Sequence, residues 1–282
     1  MRRSRTNRPR TGVGRAPDGI EVRDVTKSLR GRLILDRVNL TVPRGTLTVM
    51  EGSNGAGKTT LVRTLATVVA PDGGTARVAG YDVVRQSLDV RRSVGVSFAN
   101  ERSLYWRINA FENLELFGKI AGMAKREIAA RSVDLIERLG IGTVAFGQVA
   151  RMSTGQRQRL MVARALLTEP AVILLDEPFR GIDEEGLGSI LGLVKERVAA
   201  GATALIVAPL VDAIIPAADA TCIISGGVIQ PTGGTAVGDG GRGGRHAGGP
   251  VNVPEYMVDG TPPATSDVRP DPVEVEGPGR LS

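Results

Sequence analysis

Gly52-Ser53-Asn54-Gly55-Ala56-Gly57-Lys58-Thr59 follows the strand-like run TLTVME (46–51) and opens a helix-forming stretch that reaches about Val69. The pattern is G-x-x-x-x-G-K-[ST], and each residue type in it has a physical task. Glycines let the backbone curl so that successive N–H groups and the N-terminus of the following helix point at one anion. The Lys58 ammonium reaches the β- and γ-phosphates of a nucleotide, and the Thr59 hydroxyl is a ligand for Mg²⁺. With Thr60, residues 52–59 form the candidate nucleotide-binding set, against which stands a glycine-rich turn with no ligand.

Outward from this loop the pattern alternates. Ile20–Val25, Val38–Val42 and Leu47–Glu51 read as strands, and strands return at 171–175 (AVILL), 203–208 (TALIVA) and 221–225 (TCIIS). Helical periodicity covers about Ala110–Leu139, 155–168 and 184–199. Short apolar strands separated by helices predict an α/β fold with a mostly parallel sheet covered on both faces, and the helical middle reads as an inserted subdomain. No internal repeat is visible, which implies one cassette of this kind.

Two further stretches carry chemistry. Ala171-Val172-Ile173-Leu174-Leu175-Asp176-Glu177 is an apolar run ending in two acids, and in open α/β sheets the C-terminal strand edge is where ligands bind. Asp176 there is a candidate Mg²⁺ ligand, directly or through water, and Glu177 a candidate to polarise an attacking water. A strand that simply ends in a helix-capping acid is the alternative. Met152-Ser153-Thr154-Gly155-Gln156-Arg157-Gln158-Arg159 leads into the helix LMVARALLTEP, so that Ser153 and Gly155 create a second helix start with outward donors, or else only an ordinary N-cap.

Composition removes other chemistries. The chain of 282 residues is 41% apolar, enough for a sizeable core, and has no run approaching the ~18 apolar residues that a membrane helix needs. The lone Cys222 excludes internal disulfides and cysteine metal clusters, and the lone His246 excludes a histidine metal site or a Ser-His-Asp triad. The formal charge of +6 is unevenly spread. Residues 1–18 carry six Arg against Asp18, and no apolar run follows them, so they read as a solvated basic arm and not a secretory signal. Residues 231–282 hold 12 Gly and 8 Pro and read as disordered, His246 included, which leaves residues 19–230 as the folded domain.

Together these residues resemble the ATP-binding cassette (ABC) ATPases. Residues 52–59 match the family's Walker A loop, 171–176 its Walker B strand with Glu177 after it, and 152–156 (MSTGQ) a variant of its LSGGQ signature. Arg180-Gly181-Ile182-Asp183 resembles the D-loop. The resemblance covers about residues 19–230 and implies a P-loop NTPase core, an antiparallel β subdomain and a helical subdomain at about 100–155. It further implies ATP and Mg²⁺ as ligands and a head-to-tail dimer with a second cassette, a homo- or heterodimer. The partner's nucleotide would be met by Ser153, Thr154, Gly155 and Gln156, with Asp183 in the D-loop. The implied chain is cytoplasmic, peripheral on the inner face of the membrane, and powers a separate permease without contacting nucleic acid. Glu101-Arg102-Ser103-Leu104-Tyr105-Trp106-Arg107-Ile108, followed by FENLELFG, is similar to cassettes of exporters, and Tyr105, Trp106 and Phe111 are either a permease-docking cluster or plain packing.

The sequence departs from the family in three places. Pro209 stands where a switch histidine is expected after TALIVA, which puts efficient hydrolysis in doubt. Ala99 or Asn100 replaces the Q-loop glutamine, with Asn100 a shorter candidate Mg²⁺ ligand. Leu29 falls where an adenine-stacking aromatic is expected. Two rivals to the transport ATPase follow: a regulatory cassette that binds ATP, hydrolyses little and pairs with an active partner, and a soluble ATPase acting on ribosomes or DNA.

Overall fold

The computed structural model describes residues 19–98, 104–209 and 213–231. The basic arm, Ala99, Asn100, residues 101–103 and the Gly/Pro-rich tail beyond Pro231 with His246 lie outside the described residues.

Two sheets meet at the Gly52–Thr59 loop. Strand β1 (Ile20–Leu29) turns at Arg30 and Gly31, both at positive φ (52° and 78°), into antiparallel β2 (Arg32–Val42). Two such residues give the hairpin turn whose twist matches that of the strands. On its other side β1 pairs antiparallel with β4 (Gly73–Val78), which pairs with β5 (Tyr81–Asp82), for a sheet in the order β2-β1-β4-β5. The second sheet has the order β10-β9-β3-β8-β7-β6, from β3 (Leu47–Glu51), β6 (Val94–Ser97), β7 (Val172–Asp176), β8 (Thr203–Ala208), β9 (Ala220–Ser225) and β10 (Val228–Pro231). All its pairings are parallel except β9 with β10.

Alternation along the buried strands sends neighbouring side chains to two cores. Val172, Leu174, Leu205 and Val207 pack with helix α1 (Lys58–Leu65) and the antiparallel sheet. Ile173, Leu175, Ala204 and Ile206 face the other way and pack with α3 (Ala110–Ile120), α5 (Thr154–Leu166) and α6 (Glu184–Ala199), beside α4 (Lys125–Arg138). Among the described residues no helix is long and apolar enough to cross a membrane.

Where elements end differently from the sequence pattern, backbone chemistry gives the reason. Helix α1 stops at Leu65 and not near Val69, because Thr67 takes positive φ (61°) and the Thr67 and Val68 amides turn back to Thr64 O and Arg63 O (3.1 and 2.8 Å). That is a Schellman closure, which an apolar periodicity does not reveal. The same closure at Gly122, with Met123 N donating to Gly118 O at 3.0 Å, splits the 110–139 stretch into α3 and α4. Strands β4, β5 and β6 and the short α2 (Ser87–Ser93) carry no clear period in the sequence; β4 and β6 are built by pairing with the distant β1 and β7, and β5 pairs back on β4.

Edge strand β6 lies against α5 so closely that a Cβ on Gly95 would collide with Ala165 O. Gly95→Ala should therefore destabilise the fold by about 1–3 kcal/mol. Denaturant unfolding checks this, and an unchanged midpoint would refute the close approach.

Candidate functional site

The loop after β3 holds the geometry that an anion needs. Gly55 and Gly57 take positive φ (82° and 111°), so the backbone folds over before α1 begins. Gly57 is the N-cap and no side chain caps the first turn, which leaves its amides turned to whatever occupies the loop. Lys58 is buried, and its Nζ donates to Gly52 O at 2.5 Å and Ser53 O at 3.0 Å. The ammonium is thus folded across the loop, where phosphate oxygens can take the place of the two carbonyls.

A cleft of about 260 Å³ opens over this loop, lined by Arg32, Ile34, Asn54, Gly55, Gly57, Lys58, Thr59, Thr60 and Glu177. The structure therefore brings the glycine-rich loop and Glu177, some 120 residues apart, to one wall. Asp176 ends β7 fully buried, paired in register with Val207 of β8. Glu177 is half-buried and sits at φ 50°, a left-handed conformation that costs a residue with a side chain about 1–3 kcal/mol. Three hydrogen bonds impose it: Glu177 N donates to Val207 O (2.8 Å), while Glu177 O accepts from Gln158 Nε2 (3.3 Å) and Arg180 N (3.4 Å).

The residues present fit a nucleotide triphosphate with Mg²⁺. The Thr59 hydroxyl and the Asp176 carboxylate are hard oxygen donors of the kind Mg²⁺ takes together with substrate phosphates. Among the described residues there is no cluster of three or more His, Cys, Asp or Glu that would form an all-protein metal cage.

Residues 153–156 are not among those lining the cleft. Ser153 caps α5 in a capping box, its Oγ accepting from Gln156 N (3.2 Å) while Gln156 Oε1 accepts from Ser153 N (2.9 Å). Ser153 and Thr154 are exposed, whereas Gly155 is buried and has no room for a side chain because Gly181 O lies against it. Asp183 caps α6 through Gly186 N (3.0 Å) and pairs with the Arg159 guanidinium. The Gly186 amide, followed by Arg159, holds the Asp183 carboxyl below the usual range. The 153–156 and 180–183 turns are thus one packed unit.

Pro209 follows β8 as an exposed residue, two places beyond the Val207 carbonyl that receives Glu177 N. Leu29, the last residue of β1, is exposed. From the β1–β2 hairpin the residues that line the cleft are Arg32 and Ile34, because β2 and not the end of β1 runs beside Gly57. Arg32 and Ile34 belong to no motif, and Gln158 stands in the 152–159 run with no role that the pattern states. Only a polar Gln158 inside an otherwise apolar helical face hinted at one of them.

Comparison with known proteins agrees with this geometry. The ABC transporter family model matches residues 35–180. The daunorubicin resistance ATP-binding protein DrrA3 of Streptomyces coeruleorubidus is 36% identical over 212 residues, 75% of this chain and 67% of that protein. The methionine import ATP-binding protein MetN of Brucella abortus (strain 2308) is 35% identical over 219 residues, 76% of this chain and 59% of that one. A solved ATP-binding subunit of an ABC transporter superposes with a TM-score of 0.70 at 26% identity, covering 76% of this chain and 89% of that one. The chain belongs to the ABC transporter family, as one of its ATP-binding cassettes. It spans 59–67% of the length of the first curated relatives.

The strain at Glu177 makes a stability prediction. Glu177→Gly relieves the left-handed conformation and should raise unfolding stability by about 1 kcal/mol net of glycine's added freedom in the unfolded chain. Equilibrium denaturation reads this, and a loss of stability would show that the side chain contributes more than its backbone costs.

Proposed function

We propose that the chain binds MgATP at the 52–60 loop and hydrolyses it to drive a separate transmembrane permease. The observation that carries this reading is the single cleft shared by Lys58, Thr59, Thr60 and Glu177. Lys58 would exchange its carbonyl partners for β- and γ-phosphate oxygens, and the loop amides and first-turn amides of α1 would take the remaining charge. Glu177 would accept a proton from a water aligned with the β–γ bond, its backbone held in place by Val207, Gln158 and Arg180. Thr59 and Asp176 would hold the Mg²⁺, which neutralises phosphate charge when bound.

The second cassette follows from where the signature residues lie. Ser153, Thr154, Gly155 and Gln156 stand outside this chain's own cleft and, with Asp183, would face the nucleotide of a partner. For the permease, Tyr105 and Trp106 are exposed, and Tyr105 packs on Phe117 (ring centroids 6.0 Å apart), which with Leu88, Ile120 and Arg164 lines a cleft of about 940 Å³. Phe111 instead packs on Phe146, with ring centroids 5.0 Å apart, so the docking reading rests on Tyr105 and Trp106. An exporter is the favoured direction, supported by similarity to the daunorubicin resistance protein and by the 101–108 segment, while similarity to the methionine import protein supports the reverse. The working location is the cytoplasmic face of the cell membrane, with no nucleic-acid partner. A regulatory cassette of low turnover is the second reading, and Pro209 in place of a titratable residue is what favours it.

Steady-state phosphate release with MgATP over a range of protein concentrations tests the proposal. Turnover should rise with dimer formation and fall by about 10³-fold or more in Lys58→Ala, which removes the charge on the phosphates. Glu177→Gln should keep ATP binding while losing turnover to a similar degree. ATP binding without turnover in the parent chain would favour the regulatory cassette, and equal rates in Lys58→Ala would refute the nucleotide site.

A further inference from the structure

Trp106 is the chain's single tryptophan, 43% exposed, on the loop between β6 and α3. This loop is fastened to the segment that leads into the signature. Ala150 N donates to Trp106 O at 3.0 Å and Val149 N to Ile108 O at 3.1 Å. The Arg157 guanidinium, from the first turn of α5, lies over the Trp106 ring with its central carbon 5.2 Å from the ring centroid. The same guanidinium donates to Met152 O, just before the N-cap, and to Thr154 Oγ1 at 3.4 Å. One planar cation therefore touches the aromatic loop on one side and both flanks of Ser153 on the other. Arginine suits this role because its fork can bond in plane while its face stacks, which a lysine ammonium cannot do.

We propose that Arg157 is a positioning residue: seated on Trp106, it holds the Ser153–Gly155 turn in the shape that receives the partner's nucleotide, so that contact made with loop 104–109 is passed to the signature through Trp106. The inference rests on the proposed head-to-tail dimer and adds to it a mechanical link within one chain. The Ser153 capping box fixes the first turn of α5 from within the helix, whereas Arg157 reaches both that turn and the aromatic loop.

The test uses the full chain carrying Glu177→Gln, so that MgATP-driven dimers accumulate, with Arg157→Lys and Trp106→Leu added singly. ATP affinity of the isolated chain should stay within about twofold, since neither residue lines the cleft, while ATP-driven dimerisation should weaken by about tenfold, the scale of a lost stacked cation and its hydrogen bonds. In the Glu177→Gln chain itself the emission of Trp106 should change when MgATP closes the dimer, and Arg157→Lys should remove that change. This readout needs no Trp106 variant to fold. Unchanged dimerisation in both variants, or an emission that is the same before and after dimer closure, overturns the inference while leaving the proposed function standing. A parent chain that binds MgATP and never dimerises overturns the dimer reading and the inference with it.

Discussion

The carbonyl of Ile34 occupies the space into which a side chain on Gly57 or Gly227 would project: a Cβ there would lie 3.0 or 2.5 Å from that oxygen. The absence of side chains at these two positions lets strand β2, the 52–59 loop and the β9–β10 turn share one small volume. Backbone hydrogen bonds then tie them, Gly227 N to Ala56 O at 3.2 Å and Asp36 N to Gly227 O at 3.0 Å. The loop is thereby held between the two sheets and not left as an exposed connection. One consequence is the identity of the cleft's outer wall, since the strand brought in beside Gly57 presents Arg32 and Ile34.

Helix α5 is the second organising element. Its first residues make the exposed signature turn, and its next turn reaches both halves of the Walker B–D-loop connection: Gln158 to Glu177 O and Arg159 to Asp183. A displacement of α5 would therefore be felt at the Glu177 backbone, which already sits in a left-handed conformation held only by its surroundings. The residue proposed to handle water thus has a conformation that depends on neighbours from other elements.

How much of this was legible in the sequence varied with the range of the interactions. The 52–59 loop, the acid-ended strand at 171–177 and the capped helix start at 153–156 are local patterns that lie within about eight residues, and the structure forms them, in turn, as a loop, a strand and a capped helix start. The strands β3, β7 and β8 were visible because burial on both faces makes them continuously apolar. Strand β4 and the edge strand β6 were not, because half-exposed strands are decided by pairing with β1 and β7, and the two-residue β5 and seven-residue α2 are too short to show a period. The end of α1 at Leu65 was missed for a different reason: Thr67 at positive φ is a backbone event that residue type does not advertise.

From the sequence alone came the identity of the chemical groups: a lysine and hydroxyls for phosphate and Mg²⁺, two acids at a strand end, a signature turn with serine and glycine, and a proline where a histidine was expected. Local order of residues suffices for these because each group acts through its own backbone turn. Tertiary structure decided which of them meet. It put Glu177 and Lys58 in the lining of one cleft, in which residues 153–156 have no part. It put Arg32 and Ile34 in the lining of the cleft and laid Arg157 on Trp106. Such meetings depend on strand order and helix crossing across more than a hundred residues, and no spacing along the chain encodes them.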